Sequence, residues 1–207
     1  MKLLLVRHAQ TEGNLRGALE TTVPGPLLTE AGEQQARSLV TRLDGKPIVA
    51  VYASQAIRAQ QTAAPLAATL DLPVEVITGV KEVDAGDLEN RNDQEARSIY
   101  LNTVGRWTRG DLAIAIPGGE TGEQVRARML AAVAALRSAH ERIHPDGTIV
   151  LVSHGGVIRL GAQWLVPTIR SDIADSALIP NAGTIELEAV PAGWHCLAWG
   201  DRVIEFR

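Results

Sequence analysis

Arg7 and His8 follow directly on the apolar run Leu3–Val6, and a second histidine, His154, follows the run Ile149–Val152 in Ser153-His154-Gly155-Gly156. Arg58 lies one helical turn beyond Ser54, after a third apolar run, Ile48–Tyr52. Two arginines and two histidines brought together would hold an anion, because guanidinium forks match phosphate oxygens and stay charged. A neutral imidazole near pH 7 is also a nucleophile that can accept a phosphoryl group and later yield it to water. The leaving oxygen then needs a proton, which a carboxyl group can supply. Glu82, in Lys81-Glu82-Val83-Asp84-Ala85-Gly86, is the candidate acid, and Asp84 or Asp87 nearby could take the role instead.

These residues can cooperate only if the chain gathers them. The three apolar runs lack alternation, which suits strands buried on both faces of a parallel sheet. Helical patterns lie between them. Thr29 is placed to cap a helix running to about Leu43, with Ala36, Leu39, Val40 and Leu43 as its stripe and Gly45 as its stop. Ser54 is placed to cap a second helix running to about Leu70, and Val74–Ile77 reads as a further strand. One helix is expected near Asp93–Val104 within an otherwise irregular stretch, Lys81–Thr121, and another over Glu123–Ile143. Thr184–Val190 and Trp194–Trp199 read as a hairpin. The expected fold is α/β with a largely parallel central sheet, in one domain over residues 1–207. In such sheets ligands bind beyond the carboxyl ends of the strands, where each cluster named above would lie.

Composition narrows the function classes. The chain has 207 residues, 45% hydrophobic and 21% charged, so it can bury a core without staples. A net charge of −4 argues against a nucleic-acid binder, and one cysteine, Cys196, calls for no oxidising compartment. The apolar start is too short for a signal-peptide core, and no later stretch is long enough to span a membrane. A cytoplasmic location is expected, with a small phosphorylated metabolite as partner, no metal or cofactor, and self-association left open.

The string LVRHAQTEGN resembles the opening signature of the histidine phosphatase superfamily, in its phosphoglycerate mutase-like branch. YASQAIRAQQTA is similar to that family's serine-to-arginine segment, EVDAG to its acid segment and VSHGG to its second-histidine segment. The matches come in family order, and Asn181-Ala182-Gly183 resembles its turn before the last strands. The resemblance implies His8 as the nucleophile that becomes phosphohistidine and Glu82 as the acid that next serves as base. It further implies Arg7, Arg58 and His154 as the phosphate pocket, with Gln10, Thr11 and Asn14 lining it, and a three-layer α/β/α sandwich as the form of the α/β fold. Ala9 stands where the family most often has glycine, which is expected to crowd the turn. Leu88-Glu89-Asn90-Arg91 departs from the family's usual continuation, in a region that tends to line the substrate entrance.

Other readings compete. Gly118-Gly119-Glu120-Thr121 is either a loop capping the following helix or a segment that reaches the site. His140-Glu141-Arg142-Ile143-His144 satisfies the helix-borne zinc motif, but Pro145 follows it and both histidines suit a helix C-terminus without metal. Arg16, Arg91, Arg106 and Arg109 are either substrate-selecting cations or solvated surface. Hydrolysis is the favoured reaction. The alternatives are mutase-type return of the phosphoryl group to an organic acceptor, and a non-catalytic protein that only binds a phospholigand.

Overall fold

The computed structural model describes residues 1–200 and 202–203. Seven strands form one sheet: β1 Lys2–Arg7, β2 Ile48–Ser54, β3 Val74–Ile77, β4 Thr148–Ser153, β5 Thr184–Val190, β6 Gly193–Trp199 and β7 Arg202–Val203. Their order is β3-β2-β4-β1-β5-β6-β7. The first four in this order are mutually parallel, and β5, β6 and β7 extend the sheet as an antiparallel edge. The helices are α1 Glu12–Arg16, α2 Glu30–Arg42, α3 Ile57–Thr69, α4 Gln94–Thr108, α5 Gly122–His140, α6 Gly155–Leu165 and α7 Ser171–Ser176. No helix among the described residues is long and apolar enough to cross a membrane.

Alternating residues of each central strand feed two separate cores. Leu3, Leu5, Ile149 and Leu151 pack with residues of α4, α5 and α6, whereas Leu4, Val6, Val150 and Val152 pack with α2 and α3. Each fully buried aliphatic side chain contributes about 1.5–3 kcal/mol, so neither face of these strands could be left to water. Few aromatics are available, and two of them, Trp107 and Trp199, anchor the α4–α6 side with their indole N–H groups donating to Ile114 and Ala177 carbonyls. The other side is built from small residues: Ala59, Ala63 and Ala67 of α3 with Ala36 and Leu39 of α2.

Helix starts follow the capping chemistry. Thr29 accepts from Gly32 N at 3.0 Å, Asp93 accepts from Ala96 N at 3.0 Å, and Thr121 and Gln124 form a reciprocal capping box. Ser54 does not cap α3. It ends β2, and α3 starts only at Ile57 with Ala56 as its cap, so the Ser54 hydroxyl accepts from Ala56 N at 3.3 Å, ahead of the helix, and from His154. Gly45 lies two residues past the cap of α2, which is Leu43. Leu70 and Ile143 lie outside the apolar stripes expected of them and stand exposed, since α3 ends at Thr69 and α5 at His140. Gly32 lets the first turn of α2 sit directly on the chain after His8: a Cβ there would stand 2.2 Å from the Gln10 carbonyl oxygen.

Candidate active site

Parallel register brings the ends of four strands level. Arg7 pairs with Ser153, Val152 with Ala53, and Ser54 with Ile77, so the residues that follow each strand meet at one sheet edge. The turn after β1 is fixed from several sides. His8 N donates to Ser153 O at 2.8 Å, and Ala9 N donates to Thr62 Oγ1 at 2.9 Å. Asn181 Nδ2 donates to both His8 O (3.1 Å) and Asn14 Oδ1 (2.9 Å), tying the late turn to the early one. Ala9 causes no backbone strain: its φ is not positive, and its methyl group is buried in the α2–α3 core.

His8 Nδ1 lies 2.7 Å from the Ala9 carbonyl oxygen and so carries the ring proton, which leaves the lone pair on Nε2. Burial, then the nearby Arg58 and Arg7 charges, lower the His8 pKa to about 3 against the opposing bond to Ala9. The ring is therefore neutral at physiological pH, as a nucleophile must be. His154 stands beside it, ring centroids 5.3 Å apart. Arg58 Nη2 donates to His154 Nδ1 at 3.1 Å, so His154 Nε2 carries the proton and donates to Ser54 Oγ at 2.8 Å. Burial and the Arg58 charge push the His154 pKa well below the usual histidine range.

These shifts imply a pH-dependent stability. An unfolded histidine takes up a proton near pH 6.5, while folded His8 stays neutral down to about 3. Below pH 6.5 the unfolded chain binds more protons, so the stabilising contribution present above that pH is lost progressively as pH falls toward the folded value. The melting temperature is expected to drop between about pH 7 and pH 5, and His8→Asn to drop less steeply. Parallel profiles in calorimetric scans of the two proteins would remove His8 as a source.

Glu82 is held at the start of α6. Its Oε2 accepts from Gly156 N at 3.0 Å, and its Oε1 accepts from Val157 N and Val83 N, both at 2.9 Å. The helix N-terminus supplies these donors and favours negative charge there. Asp84 is turned away, accepting from Lys81 and Gly86 N. Burial would raise the Asp84 pKa, but those partners together hold it below its ordinary value. Asp87 likewise does not line the cavity. Glu82 is thus the carboxyl of that segment which reaches it. The backbone of the segment is braced by Arg128, which donates to the carbonyls of Gly79, Lys81 and Glu82 and pairs with Glu120. The Gly118–Thr121 loop therefore serves as cap and brace, and none of its residues lines the cavity.

A cavity of about 240 Å³ opens among Arg7, His8, Asn14, Arg58 and Glu82. Arg7 Nε and Arg58 Nη1 are buried donors with no protein partner among the described residues, the combination an oxyanion would satisfy. The model of the histidine phosphatase superfamily (branch 1) matches residues 3–202. The chain belongs to this superfamily. It is 32% identical over 160 residues to the adenosylcobalamin/alpha-ribazole phosphatase of Escherichia coli, covering 77% of this chain and 76% of that protein. It is 34% identical over 179 residues to the 2,3-bisphosphoglycerate-dependent phosphoglycerate mutase of Methylobacterium radiotolerans, covering 84% and 82%. A mycobacterial glucosyl-3-phosphoglycerate phosphatase solved in complex with VO3 superposes with a TM-score of 0.81 at 26% identity, covering 96% of this chain and 98% of that one. The chain spans only 35% of the length of another relative, a PE-PGRS family protein of Mycobacterium tuberculosis that is 31% identical over 206 residues.

Within this histidine phosphatase, two predicted pocket residues lie in the supporting structure instead. Thr11 caps α1 through a capping box with Asn14, and the Gln10 side chain accepts from Thr29 Oγ1 at 2.9 Å. Neither lines the cavity, because the Thr11 oxygen is turned to the Asn14 backbone N–H and the Gln10 amide to the Thr29 hydroxyl; Asn14 does line it. His154 is wholly buried behind His8 and is joined to the cavity through Arg58. Three titratable lining residues went unidentified in the sequence: Glu20, Tyr100 and Arg159. Arg159 was detectable as a cation one turn into the helix after β4, just as Arg58 is a cation in the first turn of the helix after β2. Its guanidinium donates to the Gly155 and Ala174 carbonyls. Tyr100 comes from α4, within the irregular stretch, and burial together with the Glu82 charge pushes its phenol pKa well up.

The outer arginines have other partners. Arg16 pairs with Glu20, Arg91 with Asp93 and Glu95, Arg106 with Asp111 and Arg109 with Asp175, and none of the four lines the cavity. The zinc-type motif is also differently engaged. The helix ends at His140, whose Nε2 lies 2.8 Å from the Tyr52 hydroxyl, and Glu141 is paired with Arg137.

Proposed function

We propose that this histidine phosphatase hydrolyses small phosphate monoesters through a phosphohistidine on His8, with Glu82 as general acid and then base. The observation that carries the reading is a neutral His8, protonated on Nδ1, in a cavity that also holds Arg7, Arg58, Arg159 and Glu82. The His8 Nε2 lone pair attacks phosphorus while the ester P–O bond breaks, and the Glu82 carboxyl proton passes to the departing oxygen. The resulting Glu82 carboxylate takes a proton from water, whose oxygen attacks phosphorus and breaks the P–N bond. Phosphate leaves, and both side chains return to their starting forms. Arg7 and Arg58 hold the phosphoryl oxygens throughout, preorganised by burial and by bonds to Ile179 O and Glu20 O. A cytoplasmic setting and a small phosphorylated metabolite as substrate belong to the same proposal.

Relatives named as phosphatases support transfer to water, and the mutase relative identifies transfer to an organic acceptor as the competing outcome. A single experiment separates them. Protein mixed with a ³²P-labelled monoester and excess chelator, then quenched in base, is expected to carry a base-stable, acid-labile label on His8 that decays to inorganic phosphate. Decay into a new phosphoester would establish a mutase. Steady phosphate release without any label on His8 would overturn the covalent route.

A further inference from the structure

The cavity contains a second carboxylate that the proposed reaction leaves unused. Glu20, in the loop after α1, lines it together with Arg58 and Glu82. Its Oε1 accepts from Arg16 Nη2 at 2.7 Å, whereas Oε2 is buried with no protein partner among the described residues. The carboxylate has a built seat. A Cβ at Gly13 would stand 1.7 Å from Oε2, so only glycine at that position leaves room for it. The backbone is also fixed, since Arg58 Nη2 donates to the Glu20 carbonyl at 3.2 Å and thereby ties this residue to a phosphate-holding guanidinium.

A carboxylate oxygen removed from water without a donor is unfavourable, and a ligand that supplies the donor recovers that loss. Its charge also acts on any group lying close to the bound phosphate, more strongly than in bulk water. We infer that Glu20 is a specificity-determining residue, selecting phosphate monoesters whose leaving group presents a hydrogen-bond donor near the phosphate, ammonium ahead of hydroxyl, and rejecting those with a second anionic group. Arg159 is the opposing influence on the same wall, with its guanidinium already committed in part to the Gly155 and Ala174 carbonyls. The inference rests on the phosphatase reading for its substrate class, but it is a statement about binding and can be measured apart from turnover.

O-phosphoethanolamine and phosphoglycolate are close in length and carry opposite charges at the far end. Their kcat/KM values would be compared in the wild type and in Glu20→Gln, and their binding measured by calorimetry in His8→Ala with and without Glu20→Gln. The wild type is expected to favour the amine ester by about tenfold or more, and Glu20→Gln to collapse that ratio by a similar factor, mainly through KM. A ratio that ignores Glu20→Gln, a wild-type preference for phosphoglycolate, or no detectable binding or turnover of O-phosphoethanolamine each overturns the inference. Binding preferences that follow Glu20 in a protein that hydrolyses neither ester would remove the phosphatase reading and leave this one standing. Turnover of both esters with no dependence on Glu20 would do the reverse.

Discussion

His8→Ala is expected to lower kcat for phosphate monoesters by at least about 10⁴-fold, the scale on which loss of a covalent nucleophile acts when its partners remain. Arg7, Arg58 and Glu82 make their own bonds to Ile179, Glu20, Val157 and Gly156, so the anion site survives removal of the imidazole. Phosphate affinity should accordingly stay within an order of magnitude of the wild type, which calorimetry with inorganic phosphate would show. That combination of lost turnover and retained binding distinguishes a missing nucleophile from a collapsed pocket. Turnover within tenfold of the wild type would place the nucleophile elsewhere.

Glu82→Gln should lower kcat/KM by about 10²–10⁴-fold on alkyl phosphates, since an amide has no proton to deliver to an alkoxide. The loss should shrink for aryl esters such as p-nitrophenyl phosphate, whose leaving oxygen departs without protonation. The substitution also has a structural effect. Glu82 accepts three backbone N–H groups, and an amide nitrogen in place of Oε2 would face the Gly156 N–H donor to donor. A stability loss of about 1–3 kcal/mol follows from leaving that buried donor unsatisfied. Dephosphorylation is common to every ester, so the decisive readout is the loss in kcat/KM, which reports the phosphorylation step alone, plotted against leaving-group pKa. Equal losses across the series would mean that Glu82 shapes the site and does not protonate the leaving group.

Much of this site is legible in the chain because its parts are local. Apolar runs without alternation identify β1, β2 and β4, and each is followed within a few residues by a group that belongs at a strand end. Thr29, Asp93 and Thr121 mark helix starts because a short hydroxyl or carboxylate oxygen meets an unpaired N–H two or three residues on, a contact that depends on nothing distant. Ser54 shows where such reasoning fails. It is the right residue type for a cap, but β2 runs on through Ser54 and α3 starts only at Ile57, and its oxygen is shared between Ala56 N and His154, 100 positions away in the chain.

The sequence by itself determined β1–β6, the helices α2–α5 and their order, and singled out His8, Arg7 and Arg58, with Glu82 among three nearby carboxyl groups, as candidates for the reacting set, because strand burial, helix capping and residue chemistry are short-range properties. Only the tertiary structure decided which neighbours face the cavity. It put Glu82 there and turned Asp84 toward Lys81, drew Tyr100 in from α4, and turned Gln10 toward the Thr29 hydroxyl and Thr11 onto the backbone of α1. It also left Glu20 Oε2 buried over Gly13 without a donor. These outcomes turn on packing between segments far apart in sequence, where the direction of a side chain depends on what stands opposite it, and spacing along the chain carries no record of that.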